Sequence, residues 1–435
     1  MRNSTPQETV QLLLEAMSSK PGDGLRSAFL FGKPGAPDWD KRMGAEVYFN
    51  PNKLMRAASF VRQKGPHHLR QLAVNDISNI LQDFIVKNFW YLAEDVFFLS
   101  NPGSYSEQVR PTTVLTLSAV LKQSKIFQPE SHLTLFPLIP VKVRADFQAS
   151  SYFLISPNSL NDGFLPTSID ARYIVPDQFP PIRDWEGVKN KPSCWLGVHS
   201  PVIQTAAKTK SAILGALALT PPPQYRHMFS GRKMFGGHCS ITDRATMKFE
   251  DIHTPPLMHD IEIAVDDHAW LKILATKLVS DDKMTRRQIK ALEYFYRAWD
   301  QKPSERFPTL CMTLDAIFGD AGGATQSVID GVRNVLGPHV RHERLSLLMK
   351  LRGSVIHGGA PDVYESRKYA KYYDTYEADP IHDLELVAAK CLRKVIFRDA
   401  LKEHADPDSE LIAEARMKGM IPEAFEKKSI LDDTV

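Results

Sequence analysis

At 435 residues the chain is too long for one ordinary domain and suits two or three. Hydrophobic residues make up 43% and charged residues 24%, so the chain can bury real cores, and no repeat or low-complexity tract stands out. The formal charge of +3 is nearly neutral, which leaves local clustering as the only route to a nucleic-acid site.

Four cysteines (Cys194, Cys239, Cys311, Cys391) are widely spread and form no C-x-x-C pair, which favours a reducing, cytosolic setting over a disulfide framework. The polar start Met1-Arg2-Asn3-Ser4-Thr5 lacks the apolar core of a signal peptide. No run of about 18 apolar residues occurs, so no membrane span is expected.

In chain order, Thr5-Pro6-Gln7-Glu8 reads as a helix start, with a capping threonine and a glutamate three residues later. Val10, Leu13, Leu14 and Met17 continue the stripe. A longer helical region spans about His67 to Phe98, where Leu69, Leu72, Ile77, Ile80, Leu81, Phe84, Ile85 and Phe89 recur at three and four. Phe31-Gly32-Lys33-Pro34 lacks the first glycine and the final Ser/Thr of a phosphate loop, so no triphosphate site follows.

After about Lys125 the character changes. Leu133 to Phe147 and Ser150 to Ile155 are short β-branched or aromatic runs that read as strands. Dense prolines from Pro157 to Pro192 mark a long surface excursion. Val202 to Leu219 is helical, His259 to Val265 alternates like a half-buried strand, and Trp270 to Val279 is a short helix.

From Thr285 the pattern is helical. Ile289, Leu292, Phe295, Tyr296 and Trp299 form one stripe. Ser304 is placed to cap a second helix, which carries Phe307, Leu310, Cys311, Leu314, Ile317 and Phe318 and closes at Gly319. A third helix covers Thr325 to Leu336, a fourth runs from about Val340 through Arg352 to His357, and a long fifth follows Pro380. The fold class is therefore α+β: a C-terminal all-α bundle preceded by a mixed α/β region. The divisions are 1–125 (mostly helical), 126–280 (α+β, sensing, regulatory or substrate-binding), 281–405 (bundle) and 406–435 (mixed-charge tail or peripheral helix).

The chemistry concentrates in Leu351-Arg352-Gly353-Ser354-Val355-Ile356-His357-Gly358-Gly359. Arginine is a permanent cation whose forked donors suit phosphate, and histidine gives or takes a proton near neutral pH. Residues five apart are rotated by about 140° on a straight α-helix, so the two need a broken helix end to converge. Gly358-Gly359 supplies that end. Between Arg333 and Lys371 eight cations (Arg333, Arg341, Arg344, Lys350, Arg352, Arg367, Lys368, Lys371) face three acids (Glu343, Asp362, Glu365). Tyr364, Tyr369, Tyr372, Tyr373 and Tyr376 interleave with the last of them, as in single-stranded RNA binding, although tyrosines also pack loops onto bundles. Arg344, Lys350, Arg367, Lys368, Lys371 and Tyr369 are the candidate RNA contacts. Two further groupings, His227 with His238-Cys239 and His259-Asp260 with Asp266-Asp267-His268, lack a recognised metal-ligand spacing.

Three pieces of the bundle resemble the HEPN superfamily, and within it the ApeA-like group of bacterial defence proteins. They are Leu292-Glu293-Tyr294-Phe295 followed by Glu305-Arg306-Phe307, then Leu314-Asp315-Ala316-Ile317-Phe318, then Arg352 and His357 with four residues between them. The match covers roughly 281–400. It departs at Gly353, where many active members carry a polar residue; Ser354 can contribute a hydroxyl instead.

The resemblance implies a cytoplasmic homodimer with a composite site on its two-fold axis. There, a metal-independent endoribonuclease without cofactor leaves 2′,3′-cyclic phosphate and 5′-hydroxyl ends on RNA, with tRNA a candidate substrate. Arg352 and His357 are the catalytic candidates, and Ser354, Asp315 and Arg306 supporting ones: Asp315 either orients the site or pairs with Arg352 across the bundle, or is simply a half-buried carboxylate bonded to a neighbouring arginine, and Arg306 suits a structural role at least as well. The resemblance further implies an antiviral abortive-infection toxin released by a phage or regulatory trigger. Two alternatives stand beside it: an inactive HEPN module that only binds RNA or nucleotides, and a dimerisation scaffold.

Overall fold

The computed structural model describes residues 4–22, 24–35, 37–96, 103–166, 169, 174, 192–242, 245–320, 322–358, 362–420 and 429–431. The chain packs as two compact units, one of residues 1–131 with 200–205 and the other of 132–199 with 206–435.

Among its described residues the first unit holds six α-helices and a small sheet. Helix α1 (Thr5–Glu15) starts one residue earlier than the sequence suggested: Ser4 is the cap, its carbonyl accepting the Glu8 N–H at 3.0 Å, and Thr5 lies in the first turn. Strands β1 (Met17–Ser18), β2 (Leu25–Phe31) and β3 (Met43–Phe49) form an antiparallel sheet in the order β1-β3-β2. Next come α2 (Pro51–Lys64), α3 (Val74–Asn88), α4 (Trp90–Val96), α5 (Tyr105–Gln108) and α6 (Pro111–Gln123). The Asn50 side chain caps α2 by accepting from the Lys53 N–H at 3.1 Å. Phe29 and Phe31 meet Phe89 edge-on at 5.2 and 5.0 Å, so the sheet and α3 share one core with Val10, Leu13, Ile77 and Leu81.

The second unit begins with strands. Among the described residues, β4 (His132–Leu138), β5 (Val141–Val143), β6 (Phe147–Gln148), β7 (Tyr152–Ile155), β8 (Cys194–Ser200), then α7 (Ile203–Leu217), β9 (Gly236–Ile241), β10 (Ala245–Ile252) and β11 (Ile261–Ile263) follow in turn. Six of the strands lie in the order β10-β9-β4-β8-β7-β6, and β11 pairs in parallel with β5. Only three residues of the alternating His259–Val265 stretch are strand; Val265–Asp267 is already a 3-10 turn. Much of the proline-dense stretch, 175–191 included, lies outside the described residues. Leu133, Leu135, Phe153, Ile155, Trp195, Cys239 and Ile241 form the core of this sheet.

Helix α8 (His268–Leu278) joins sheet to bundle: Tyr152 donates to the Leu271 carbonyl at 2.9 Å, and Trp270 meets Phe397 edge-on at 5.9 Å. Then come α9 (Lys283–Trp299), α10 (Pro303–Phe318), α11 (Ala324–Leu336), α12 (His342–Ile356), α13 (Arg367–Tyr376), α14 (Pro380–Phe397) and the exposed α15 (Ser409–Met417). Lys302, not Ser304, precedes the first turn of α10, because Pro303 with its preset φ takes the first helical position. Helix α10 packs against α9, α11, α12 and α14, and so carries the centre of the bundle through Phe307, Leu310, Cys311, Leu314 and Ile317. The chain is thus mixed α+β, with strands giving way to helices toward the C-terminus. No helix among the described residues is long and apolar enough to cross a membrane.

Candidate active site

Arg352 and His357 sit at the C-terminal end of α12, anchored by the buried Leu345, Leu348, Met349 and Leu351. Asp315 on α10 pairs with Arg352, Nη2 of Arg352 lying 2.7 Å from its Oδ2, a contact that suits both the site-supporting and the plain structural reading of this carboxylate. Their side chains are 19% and 26% exposed, so the pair is neither core nor open surface. Burial raises the Asp315 carboxyl above its ordinary range, and the charge of Arg352 pulls it back. Its Oδ1 is buried and accepts no hydrogen bond.

His357 is the residue at which α12 stops. Its backbone N–H still bonds the Gly353 carbonyl at 3.2 Å, while Gly358 turns left-handed at φ 74°. Gly359 lies outside the described residues. The imidazole is exposed and makes no hydrogen bond or ion pair among the described residues. Ser354 is half-buried on the same helix, and a side chain at Gly353 would meet open space.

Two of the sequence candidates are elsewhere. Arg306 precedes Asp315 by nine residues on α10, which puts it about 13 Å along the helix and on the opposite face. There it approaches Glu385 at 3.9 Å and donates to the Gln301 carbonyl at 3.0 Å. Arg344 is a correction. It is 1% exposed, so it cannot contact RNA. Its guanidinium is bound by Asp383 and by the hydroxyl of Tyr372, which itself donates to Asp383.

Of the tyrosine-rich segment, Tyr369, Tyr372, Tyr373 and Tyr376 lie on the helix α13 and Tyr364 in the 3-10 turn before it (Val363–Glu365), where the sequence suggested a loop. Tyr372 and Tyr376 pack their rings against the Arg344 guanidinium, at 5.8 and 4.9 Å. Tyr369 meets Tyr364 edge-on at 5.0 Å, and burial pushes its hydroxyl up to about 12. Lys350, Arg367 and Lys371 are exposed, and Lys368 ties α13 to α12 by donating to the Lys350 carbonyl at 2.9 Å.

Sequence reasoning missed the other wall of the site. Asp315 also lines a groove of about 300 Å3 with Arg287, Lys290 and Tyr294 of α9 and Met312 and Ala316 of α10. Arg287 donates to the Ala316 and Asp315 carbonyls at 2.8 and 3.2 Å, closing the C-terminal end of α10. One residue is therefore held by two arginines, its backbone by Arg287 and its carboxylate by Arg352. The available signal was the three-and-four spacing of cations along the polar side of α9.

A larger cleft of about 950 Å3, lined in part by Tyr225, His259, Asp260 and His404, includes neither Arg352 nor His357. Among the described residues no three His, Cys, Asp or Glu side chains gather as a metal site; His227 is instead bound by Glu385 and His259 by Asp408. All four cysteines are buried free thiols. Comparison with protein families, characterised proteins and solved structures finds no match for this chain.

Proposed function

We propose that the chain is a metal-independent endoribonuclease of the HEPN type. The observation that carries this reading is the Arg352–Asp315 pair, a half-buried guanidinium five residues before an exposed histidine at a glycine-ended helix terminus. The contact with Asp315 engages one of five guanidinium N–H groups, so donors remain for a phosphate.

In the reaction His357 takes the proton of a ribose 2′-hydroxyl. The 2′-oxygen bonds to phosphorus, the bond from phosphorus to the 5′-oxygen breaks, and the leaving oxygen takes a proton from water. Such acid–base help contributes typically about 10²–10⁴-fold in rate. Arg352 holds the phosphate and offsets the charge that builds on its oxygens. The products carry 2′,3′-cyclic phosphate and 5′-hydroxyl ends. With tRNA or other host RNA as substrate, the activity suits a toxin of antiviral abortive defence.

One observation favours a second reading, a module that binds RNA without cutting it: Asp315 partly neutralises Arg352 before any phosphate arrives. A single experiment separates the two. Total tRNA is incubated with the wild-type chain and with His357→Ala in excess EDTA, and the product ends are typed. Cyclic-phosphate ends from the wild type alone establish the nuclease. Equal cutting by both proteins sinks the assignment of His357, and intact RNA that both proteins bind supports the second reading.

A further inference from the structure

Helix α9 carries Lys283, Arg286, Arg287, Lys290 and Arg297 against a single acid, Glu293. Its buried face (Ala291, Leu292, Phe295, Ala298 and Trp299) accounts for the apolar half of the sequence. The other half is more ordered than solubility requires. Lys283, Arg287, Lys290, Tyr294 and Arg297 recur at steps of four, three, four and three, so they share one face over about 21 Å of helix.

Along that stripe Lys290 and Arg297 flank the half-buried Tyr294, at 5.0 and 5.6 Å from its ring centroid. Lys290 is partly spent on Glu293, at 2.8 Å. Lys283, Arg286 and Arg297 have no acidic partner among the described residues. The middle of the stripe, Arg287, Lys290 and Tyr294, lines a groove with Asp315, the residue whose carboxylate pairs with Arg352.

We propose that this stripe is the track of a single-stranded RNA. Lys283, Lys290 and Arg297 take phosphates along the strand, Arg287 staying on the α10 carbonyls, and Tyr294 is the platform on which one base stacks on the groove side of Asp315, whose partner Arg352 holds the scissile phosphate. Cations spaced along a groove and an aromatic ring among them are what backbone-tracking, stacking recognition needs. The inference rests on the reading of Arg352 as the phosphate-binding group and adds to it the helix face along which the strand lies.

The test is binding of a short labelled single-stranded RNA to the full chain carrying His357→Ala, followed by fluorescence anisotropy across a salt series. Tyr294→Ala is expected to weaken binding by about tenfold and Tyr294→Phe to restore it, since a phenyl ring stacks as well. The double variant Lys283→Gln/Arg297→Gln is expected to lower the slope of log affinity against log salt by about 1.4, or about 0.7 per lost phosphate contact. Unchanged affinity and slope, or no binding at low salt, overturns the track. The two readings fail separately. RNA bound through the stripe but left intact by the wild type keeps the track and discards the nuclease. RNA that the wild type cuts, with the same concentration dependence in the stripe variants, discards the track and keeps the nuclease.

Discussion

Buried charge decides what several residues can do. Glu385 lies in the bundle core, with His227 Nε2 at 2.8 Å, Arg226 at 3.4 Å and Arg306 at 3.9 Å. Burial alone would raise its carboxyl; the His227 hydrogen bond and the two guanidinium charges more than reverse this and hold it at about 2, against an ordinary 4.5. A carboxyl depressed in the folded state stabilises the fold fully above its unfolded pKa, and the contribution is lost as pH falls through the folded one. The window is therefore from about pH 4.5 down to about 2. Urea midpoints measured across it should fall more steeply for the wild type than for Glu385→Gln, which has no proton to take up; parallel curves would refute the linkage. The same physics explains what was readable beforehand. Arg352 and His357 lie in one local run, so their spacing is open to inspection, and Asp315 was the natural partner on a facing helix. Arg344 looked like another surface cation because the carboxylate that buries it, Asp383, is 39 residues away. A charge balance taken over adjacent residues does not see that distance.

Elements were legible where burial repeats on a helical period and not elsewhere. The helices α9 to α12 and α14 show aliphatic residues at three and four, and their predicted extents agree with the observed ones to within a few residues. Helix α13 shows tyrosines in place of aliphatics, so the sequence left its face open between RNA contact and packing, and read the packing as that of a loop rather than a helix. In β2 the inward positions are Ser27, Phe29 and Phe31 and the outward ones Arg26, Ala28 and Leu30, so burial alternates but polar and apolar residue types do not, and the sequence showed no clean strand pattern. The close approach of α7 to α9 was equally silent. It depends on Gly215, where an added β-carbon would collide with the Leu292 carbonyl. In an exposed helix Gly→Ala would be favourable by up to about 1 kcal/mol. Here backbone rather than a flexible side chain fills the space, and overpacking costs about 1–3 kcal/mol. Gly215→Ala should therefore destabilise the second unit, read as a lower urea midpoint with an unchanged slope. A neutral or stabilising result would show that α7 and α9 can separate without penalty. The groove beside Asp315 lies between α9 and α10, so the RNA affinity of that variant is worth following in parallel.

At the scale of the whole molecule the proposed site has an open side at the end of α12. Residues five apart point about 140° away from each other on a helix. Helix α12 carries this geometry through to His357, whose N–H still bonds the Gly353 carbonyl, and the left-handed turn at Gly358 comes only after it, so the broken helix end expected to bring the two together does not do so; the imidazole stands exposed with no described side chain to position it. A general base held by nothing is a poor one, because acid–base catalysis depends on a fixed distance to the proton it moves. A second copy placed against the exposed end of α12 would supply the missing wall and bring two Arg352–His357 pairs into one cleft, as the HEPN resemblance implies. A composite site of this kind has a kinetic signature. Activity per chain should be constant at high protein concentration and fall in proportion to concentration once the dimer dissociates. It should recover fully on reconcentration, in step with the sedimentation coefficient. Specific activity that stays flat through the dissociation range would show that one chain positions His357 by itself, and would remove the main reason for invoking a partner.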